Sequence, residues 1–453
     1  VEYITDGLGQ VRIKGISRNT AEGYSKGVTT YLYRSKQSSD WRTLGDLDYL
    51  NGTGFNPYAV DPDKDVVYGF ERVDGRLALV STSLASAALT KTVVASRPDV
   101  DVDALIRIGK RQRVVGASFA TERRQSIYFD PDLKKLAASL TKALPNQPLV
   151  EFVDSNLDES KLLIWAGGDT SPGTYYLFDR TAKKLQPIMP SRPELANVTL
   201  SEVRPVTYPA ADGTMIPAYL TLPPGSLGKN LPTIVMPHGG PSARDEWGFD
   251  WLSQYYANRG FAVLQPNFRG STGYGDAWYQ ENGFKSWRTS IGDVADGGRW
   301  LVKSGVADPG KLFIVGWSYG GYAALQSAVL DPALFKAVVA VAPVADLDML
   351  KSEWRNFSNR RVVGEFIGTG PHIKEGSPAQ NADKIIAPVL MFHGELDRNV
   401  GISQSRLMAK KLRDAGRMVE LVEYPKLEHS LVDSAVRAQL LKKSTDFLLA
   451  AGK

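Results

Sequence analysis

The chain carries two different hydrophobic periodicities, which change over near residues 196–205, and this change limits the fold more than any other feature. Beyond it, short apolar runs alternate with helical patterns. The runs at 233–236, 261–265, 312–316, 337–341, 389–392 and 419–422 are nearly continuous in apolar residues, with Gly or Pro marking their ends. A strand of that kind is buried on both faces. Between the runs lie helical patterns at 247–258, 292–303, 320–329, 404–415 and 431–449. Parallel strands need crossover connections, and helices supply them. Residues 196–453 are therefore expected to form an α/β domain, a mostly parallel sheet covered on both faces.

Residues 1–195 read differently. Short runs rich in β-branched and aromatic residues, at 11–16, 30–33, 66–70 and 77–80, are separated by Gly, Asp, Asn or Pro clusters. Only 133–144 has the look of a helix. A loose repeat relates 57–80 to 150–179: an acidic turn, a strand, a Gly-containing turn and a second strand. A spacing of about 45 residues matches one four-stranded propeller blade. About four such units are expected, forming a partial or open β-propeller; a generic β-sandwich is the competing architecture.

Composition narrows the chemistry. The 453 residues include no cysteine and four histidines, His238, His372, His393 and His429. A cysteine nucleophile, a disulfide framework, a thiolate zinc site and an iron–sulfur cluster are excluded. Either redox compartment remains open. The net charge is only +5, and the basic runs around Lys110, Arg113, Arg124 and Lys134 are broken by acidic and apolar residues. They read as solvated surface, so no nucleic-acid partner is expected. No apolar stretch reaches the roughly 18 residues a membrane span needs. No signal peptide follows Val1, and the numbering is expected to begin inside a blade of a longer protein or in a naturally short, open propeller.

Gly316-Trp317-Ser318-Tyr319-Gly320 fits G-x-S-x-G. It directly follows one apolar run and opens a helical pattern, the setting of a strained strand-to-helix elbow that exposes a nucleophilic serine. The amide of Tyr319 would then face an oxyanion. A serine hydroxyl needs an adjacent base, and in this architecture the acid and the histidine follow the serine in order. His238 precedes Ser318 and sits in the loop Pro237-His238-Gly239-Gly240-Pro241. His372 lies in a loop and His393 ends a strand. His429 alone has both the right position and a strand-end acid before it, Asp397. Glu395 and Asp383 are alternative acids, and Glu428 is expected to be solvated.

These residues resemble the prolyl oligopeptidase family of serine peptidases, especially its acylaminoacyl-peptidase and dipeptidyl-peptidase-like branches. The resemblance rests on His238-Gly239-Gly240-Pro241, Asn267-Phe268-Arg269-Gly270-Ser271-Thr272-Gly273-Tyr274-Gly275, the Ser318 elbow and His393-Gly394-Glu395-Leu396-Asp397. It implies an N-terminal β-propeller and a C-terminal α/β-hydrolase. Ser318 would be the nucleophile, Asp397 the orienting acid and His429 the base. The oxyanion hole would use the Tyr319 and Gly240 amides, with an imidazole donor from His238 where several relatives place a tyrosine. Asn399 would grip a substrate carbonyl. Trp354 and Val400, with Tyr319, would line a hydrophobic pocket, and core packing is the other account of Trp354.

The expected function is hydrolysis of short or flexible peptides, with the propeller as a size filter. Some bacterial relatives open the isopeptide ring of lasso peptides, and that activity, a carboxylesterase and a non-enzymatic propeller binding module are the alternatives. No metal and no cofactor is implied: no ligand spacing surrounds His372 or His393, and the loop 270–275 lacks the Gly-Lys-Ser/Thr of a phosphate-binding loop. The partner is a peptide substrate. Oligomeric state and localisation, bacterial cytoplasm or periplasm, stay open.

Overall fold

A computed structural model describes residues 1–280 and 282–452. They form two compact units: Val1–Val198 with Gly273–Ala277, and Thr199–Thr272 with Trp278 onward.

The first unit holds four antiparallel sheets of five, four, three and four strands in chain order. The last three begin at Asn56, Val102 and Leu149, which matches the repeat read from the sequence. Two-residue turns set the register locally. Asp74 and Gly75 both have positive φ (49° and 75°) and place Val73 opposite Arg76, the turn geometry whose twist suits a tight hairpin. Each hydrophobic core is shared between successive sheets. Tyr31, Tyr33 and Leu47 of the first meet Val60, Val67 and Val80 of the second. Tyr68, Phe70 and Leu79 of the second meet Val102, Val114 and Ala117 of the third. A blade cannot bury both faces alone, so stacking supplies the core.

Strand number departs from four per blade. The third sheet stops at Tyr128, and a helix, Pro131–Ala143, follows it at the one stretch of this part that reads as helical. Asp130 caps it by accepting from the amides of Asp132 and Leu133, and Pro131 starts it. Its buried Leu133 and Leu140 join Ile108, Val115, Phe152, Leu162 and Ile164 in the core between the third and fourth sheets.

The second unit is built on one eight-stranded sheet. Its strands are β1 (Val203–Pro209), β2 (Met215–Thr221), β3 (Leu231–Val235), β4 (Ala262–Pro266), β5 (Ala307–Trp317), β6 (Val338–Val341), β7 (Val389–Gly394) and β8 (Val419–Tyr424). The spatial order is β1-β2-β4-β3-β5-β6-β7-β8. From β4 to β8 all pairings are parallel, while β1 and β2 form an antiparallel edge hairpin that the sequence reading missed. Side chains alternate between two cores. Val235, Ile314, Ala340 and Met391 face one, and Ile234, Val315, Val341 and Phe392 face the other. The helices that matter below are α1 (Trp251–Asn258), α2 (Trp287–Lys303), α3 (Tyr319–Leu330), α4 (Leu347–Glu353), α5 (Ser403–Asp414) and α6 (Ser434–Ala451).

Two helix starts are later than the apolar pattern suggested. α1 begins only after Asp250, whose carboxylate caps Ser253 N. Trp247, expected inside it, instead donates its indole N–H to Val203 O at 2.7 Å. α6 begins after Asp433, which caps Val436 N, leaving residues 425–433 as the loop after β8.

Leu162 is fully buried between the third and fourth sheets. Replacing it with Ala is expected to destabilise the protein by about 3 kcal/mol, read as a lowered denaturation midpoint at unchanged denaturant sensitivity.

Candidate active site

The elbow is a strained point of the second unit. Ser318 ends β5 and precedes α3 with φ 59° and ψ −122°, a region that non-Gly residues avoid and that clusters at functional sites. Its amide donates to Val341 O at 2.8 Å, which anchors the turn to β6. Close approach makes the conformation possible. A Cβ on Gly320 would lie 2.2 Å from Pro237 O, so only glycine lets α3 start against the loop after β3. That loop passes beside the serine, since a Cβ added on Gly239 would come within 3.6 Å of Ser318 Cβ. As the first residue of α3, Tyr319 has an amide without an intrahelical acceptor. The exposed Gly240, at φ 119°, has no backbone partner for its own amide among the described residues.

Asp397 follows β7 and its side chain is completely buried. Oδ1 accepts the amides of Asn399 (2.9 Å) and Val400 (3.0 Å). Oδ2 lies 2.6 Å from His429 Nδ1 and 3.2 Å from His393 Nε2. Burial by itself would raise this carboxyl, but bonding from His393, His429 and the Val400 amide outweighs it and holds the group well below the usual carboxylate range. A carboxylate only accepts, so His429 Nδ1 carries a proton and its Nε2 is free to take one.

The loop bearing His429 is laced to the loop bearing Asp397. A Cβ on Gly394 would sit 2.5 Å from Leu427 O and 2.7 Å from Glu428 O, and Leu396 N donates to Leu427 O at 2.9 Å. On the serine side, Trp317 Nε1 donates to His429 O at 3.0 Å. The residue next to Ser318 thus holds the backbone of the histidine.

The sequence profile of the prolyl oligopeptidase family matches residues 247–453. That match covers the C-terminal part of the chain, the elbow at Ser318 and the loops after β7 and β8 included. The chain is 28% identical over 414 residues to dipeptidyl aminopeptidase BIII of Pseudoxanthomonas mexicana, an alignment that spans 88% of this chain and 60% of that protein. It is 29% identical over 315 residues to dipeptidyl peptidase family member 6 of Caenorhabditis elegans, spanning 62% of this chain and 42% of that protein. The chain therefore matches roughly half of these relatives' length. In fold it resembles a puromycin-hydrolysing peptidase of Mycobacterium tuberculosis (TM-score 0.74, 21% identity, 93% of this chain and 67% of that one). It also resembles an acylaminoacyl peptidase of Pyrococcus horikoshii (TM-score 0.70, 18% identity, 96% and 68%). An N-terminal propeller and a C-terminal α/β-hydrolase domain are the architecture that this likeness in fold shows.

The remaining expected site residues lie as follows. Asn399 is exposed, with its amide on Asp397 and its side chain outward. Trp354 caps the end of α4, half-buried against the core, with its ring 4.9 Å from that of Phe357. Val400 is buried in the main core. The Tyr319 side chain is buried too, its hydroxyl donating to Gly283 O at 2.7 Å, so it contributes packing around its amide. His372 lies apart, bonded to Ile367 O at 2.8 Å. Among the described residues no group of three or more His, Asp or Glu side chains could hold a metal, and no helix is long and apolar enough to cross a membrane.

His238 does not fit the expectation of an imidazole donor. Its ring stacks on Phe268 with centroids 4.4 Å apart. Nδ1 is 2.7 Å from Gly239 O, so it carries the proton. Burial is the main reason that its pKa is pushed down to about 4. In the neutral ring Nε2 has no hydrogen, and it faces the Ser271 hydroxyl at 2.8 Å. Neither nitrogen is left to donate to an oxyanion. Ser271 stands 33 positions away in sequence, and spacing gave no sign of this contact.

An unfolded histidine binds a proton below about pH 6.5, whereas this one does so only below about 4. Between those values unfolding takes up a proton. The site's contribution is therefore whole above pH 6.5 and falls as the pH drops toward 4, by up to about 3 kcal/mol. Melting curves should show the native protein losing stability over this window more steeply than His238→Gln. Gly320→Ala is expected to lower stability by about 2 kcal/mol at any pH, because Pro237 O must move; unchanged melting would contradict the close packing of elbow and loop.

Proposed function

We propose that this protein is a serine peptidase that cleaves short or flexible peptides through an acyl-enzyme on Ser318. The observation that carries the reading is the 2.6 Å pairing of His429 Nδ1 with the buried Asp397 carboxylate, on a loop tied to the residue beside Ser318. Asp397 fixes the tautomer of His429. His429 Nε2 takes the Ser318 proton as Oγ bonds to the substrate carbonyl carbon. The carbonyl electron pair moves to oxygen, which the amides of Tyr319 and Gly240 bind. Collapse of this intermediate breaks the C–N bond, and the leaving amine takes the proton from His429. Water then repeats the sequence to release the acid and regenerate Ser318.

Asn399 is the candidate to hold a substrate carbonyl, since its side chain is exposed two residues after the acid. Trp354 and Val400 would bound the space for the residue before the scissile bond. Peptides are favoured over simple esters by the relatives, whose names are dipeptidyl aminopeptidase and acylamino-acid-releasing enzyme.

A fluorophosphonate probe should label the native protein and not Ser318→Ala, and the variant's kcat/KM should fall at least about ten-thousandfold. A peptide-library digest read by mass spectrometry, with a lasso peptide and matched esters included, should show linear peptides cut. Equal labelling of native protein and variant overturns the reading. Opening of the threaded lasso peptide alone would replace it with isopeptidase action, and cleavage of esters alone with a carboxylesterase.

A further inference from the structure

His393 plays no part in the mechanism just given, yet it is completely buried against the acid. It lies in β7, four residues before Asp397. Its Nε2 is 2.9 Å from Val400 O and 3.2 Å from Asp397 Oδ2. Both oxygens only accept, so Nε2 must carry a hydrogen. On the other side of the ring, Nδ1 is 2.7 Å from the Ser405 hydroxyl of α5. That hydroxyl has no other hydrogen-bond partner among the described residues, so both ring nitrogens are engaged.

We infer that His393 is a positioning residue: its Nε2–H holds the Val400 carbonyl and the Asp397 carboxylate together, so that Oδ2 faces His429 Nδ1. The inference rests on the triad reading proposed above. The link is short and closed. Val400 returns its own amide to Asp397 Oδ1 at 3.0 Å, so one ring N–H governs both ends of the carboxylate. The loop is braced from outside as well, where Glu353 accepts from Gly401 N (3.2 Å) and Ser403 Oγ (2.6 Å). Without the His393 donor, two buried acceptors are left short, which is costly enough to make the carboxylate turn. The oxygen that would turn is the one bonded to His429.

The inference separates three substitutions. A glutamine amide reaches about as far as Nε2 and can still donate to Val400 O and Asp397. An asparagine amide reaches only about as far as Nδ1, so it can meet Ser405 but not Asp397. Methionine fills a similar volume and donates nothing. With a peptide substrate found by the digest, His393→Asn and His393→Met should each lower kcat by about a hundredfold, the scale of a small misplacement in a catalytic group. KM should stay within about twofold, and His393→Gln should recover kcat to within about tenfold of native. Melting curves on all three report the folded fraction to which kcat is normalised. Equal kcat in native, Asn and Met forms overturns the inference, as does an equal loss in Gln, or a loss expressed mainly in KM. Failure of the native protein to react with fluorophosphonate is a different outcome, which removes the triad reading itself.

Discussion

A buried carboxylate without partners is among the costliest things a protein can contain, and the second unit is arranged around meeting that cost at Asp397. Four N–H groups converge on it: two from the backbone just downstream, one from His429 and one from His393. They arrive from the loop after β7, the loop after β8 and β7 itself. The parallel sheet brings these segments together, because parallel neighbours end at the same edge. Val389 to Gly394 run in register with Val419 to Tyr424, so the loops that leave them are already side by side. The charge then fixes the loops, and the loops fix the imidazole.

Close backbone approach is the second requirement. The elbow at Ser318 needs α3 to begin almost in contact with Pro237 O, and the His429 loop needs to lie on Gly394. In both places a methyl group would occupy space held by backbone carbonyl oxygens, which cannot swing away as a side chain can. The strained φ of Ser318 persists because neighbours on both sides determine it: Val341 O below through its amide, and the loop after β3 beside it. Strain of this kind is maintained only by surroundings that leave no alternative.

The parts of this site that were legible in the sequence are those with local causes. The elbow announces itself in five residues, because glycine, strand and helix must adjoin there. The parallel sheet announces itself in continuous apolar runs, and the stacked sheets of the first unit in a spacing that recurs. With only four histidines, position along the chain singles out His429 as the candidate base, and the structure pairs its Nδ1 with Asp397. The parts that were not legible depend on contacts between distant segments. His238 looked available as a donor until Gly239 O and Ser271 were seen to occupy its nitrogens. His393 was set aside as a base because it precedes the acid, yet the same spacing lets it touch the acid. The hairpin at 203–221 carries neither a continuous apolar run nor a clean alternation, so pairing with β4 decides it.

His393 and His238 also show why histidine identity alone says little about chemistry. Each has Nδ1 or Nε2 committed to an oxygen that can only accept, and in each the remaining nitrogen meets a serine hydroxyl. Both rings bridge a backbone oxygen and a serine hydroxyl. His429 differs in one respect. Its Nδ1 is committed to Asp397, but no side chain among the described residues occupies its Nε2. A ring with both nitrogens engaged is held in place. A ring with one nitrogen satisfied by a carboxylate has a fixed direction and an open lone pair, which is what a general base requires. The three environments, more than the three positions, divide the roles.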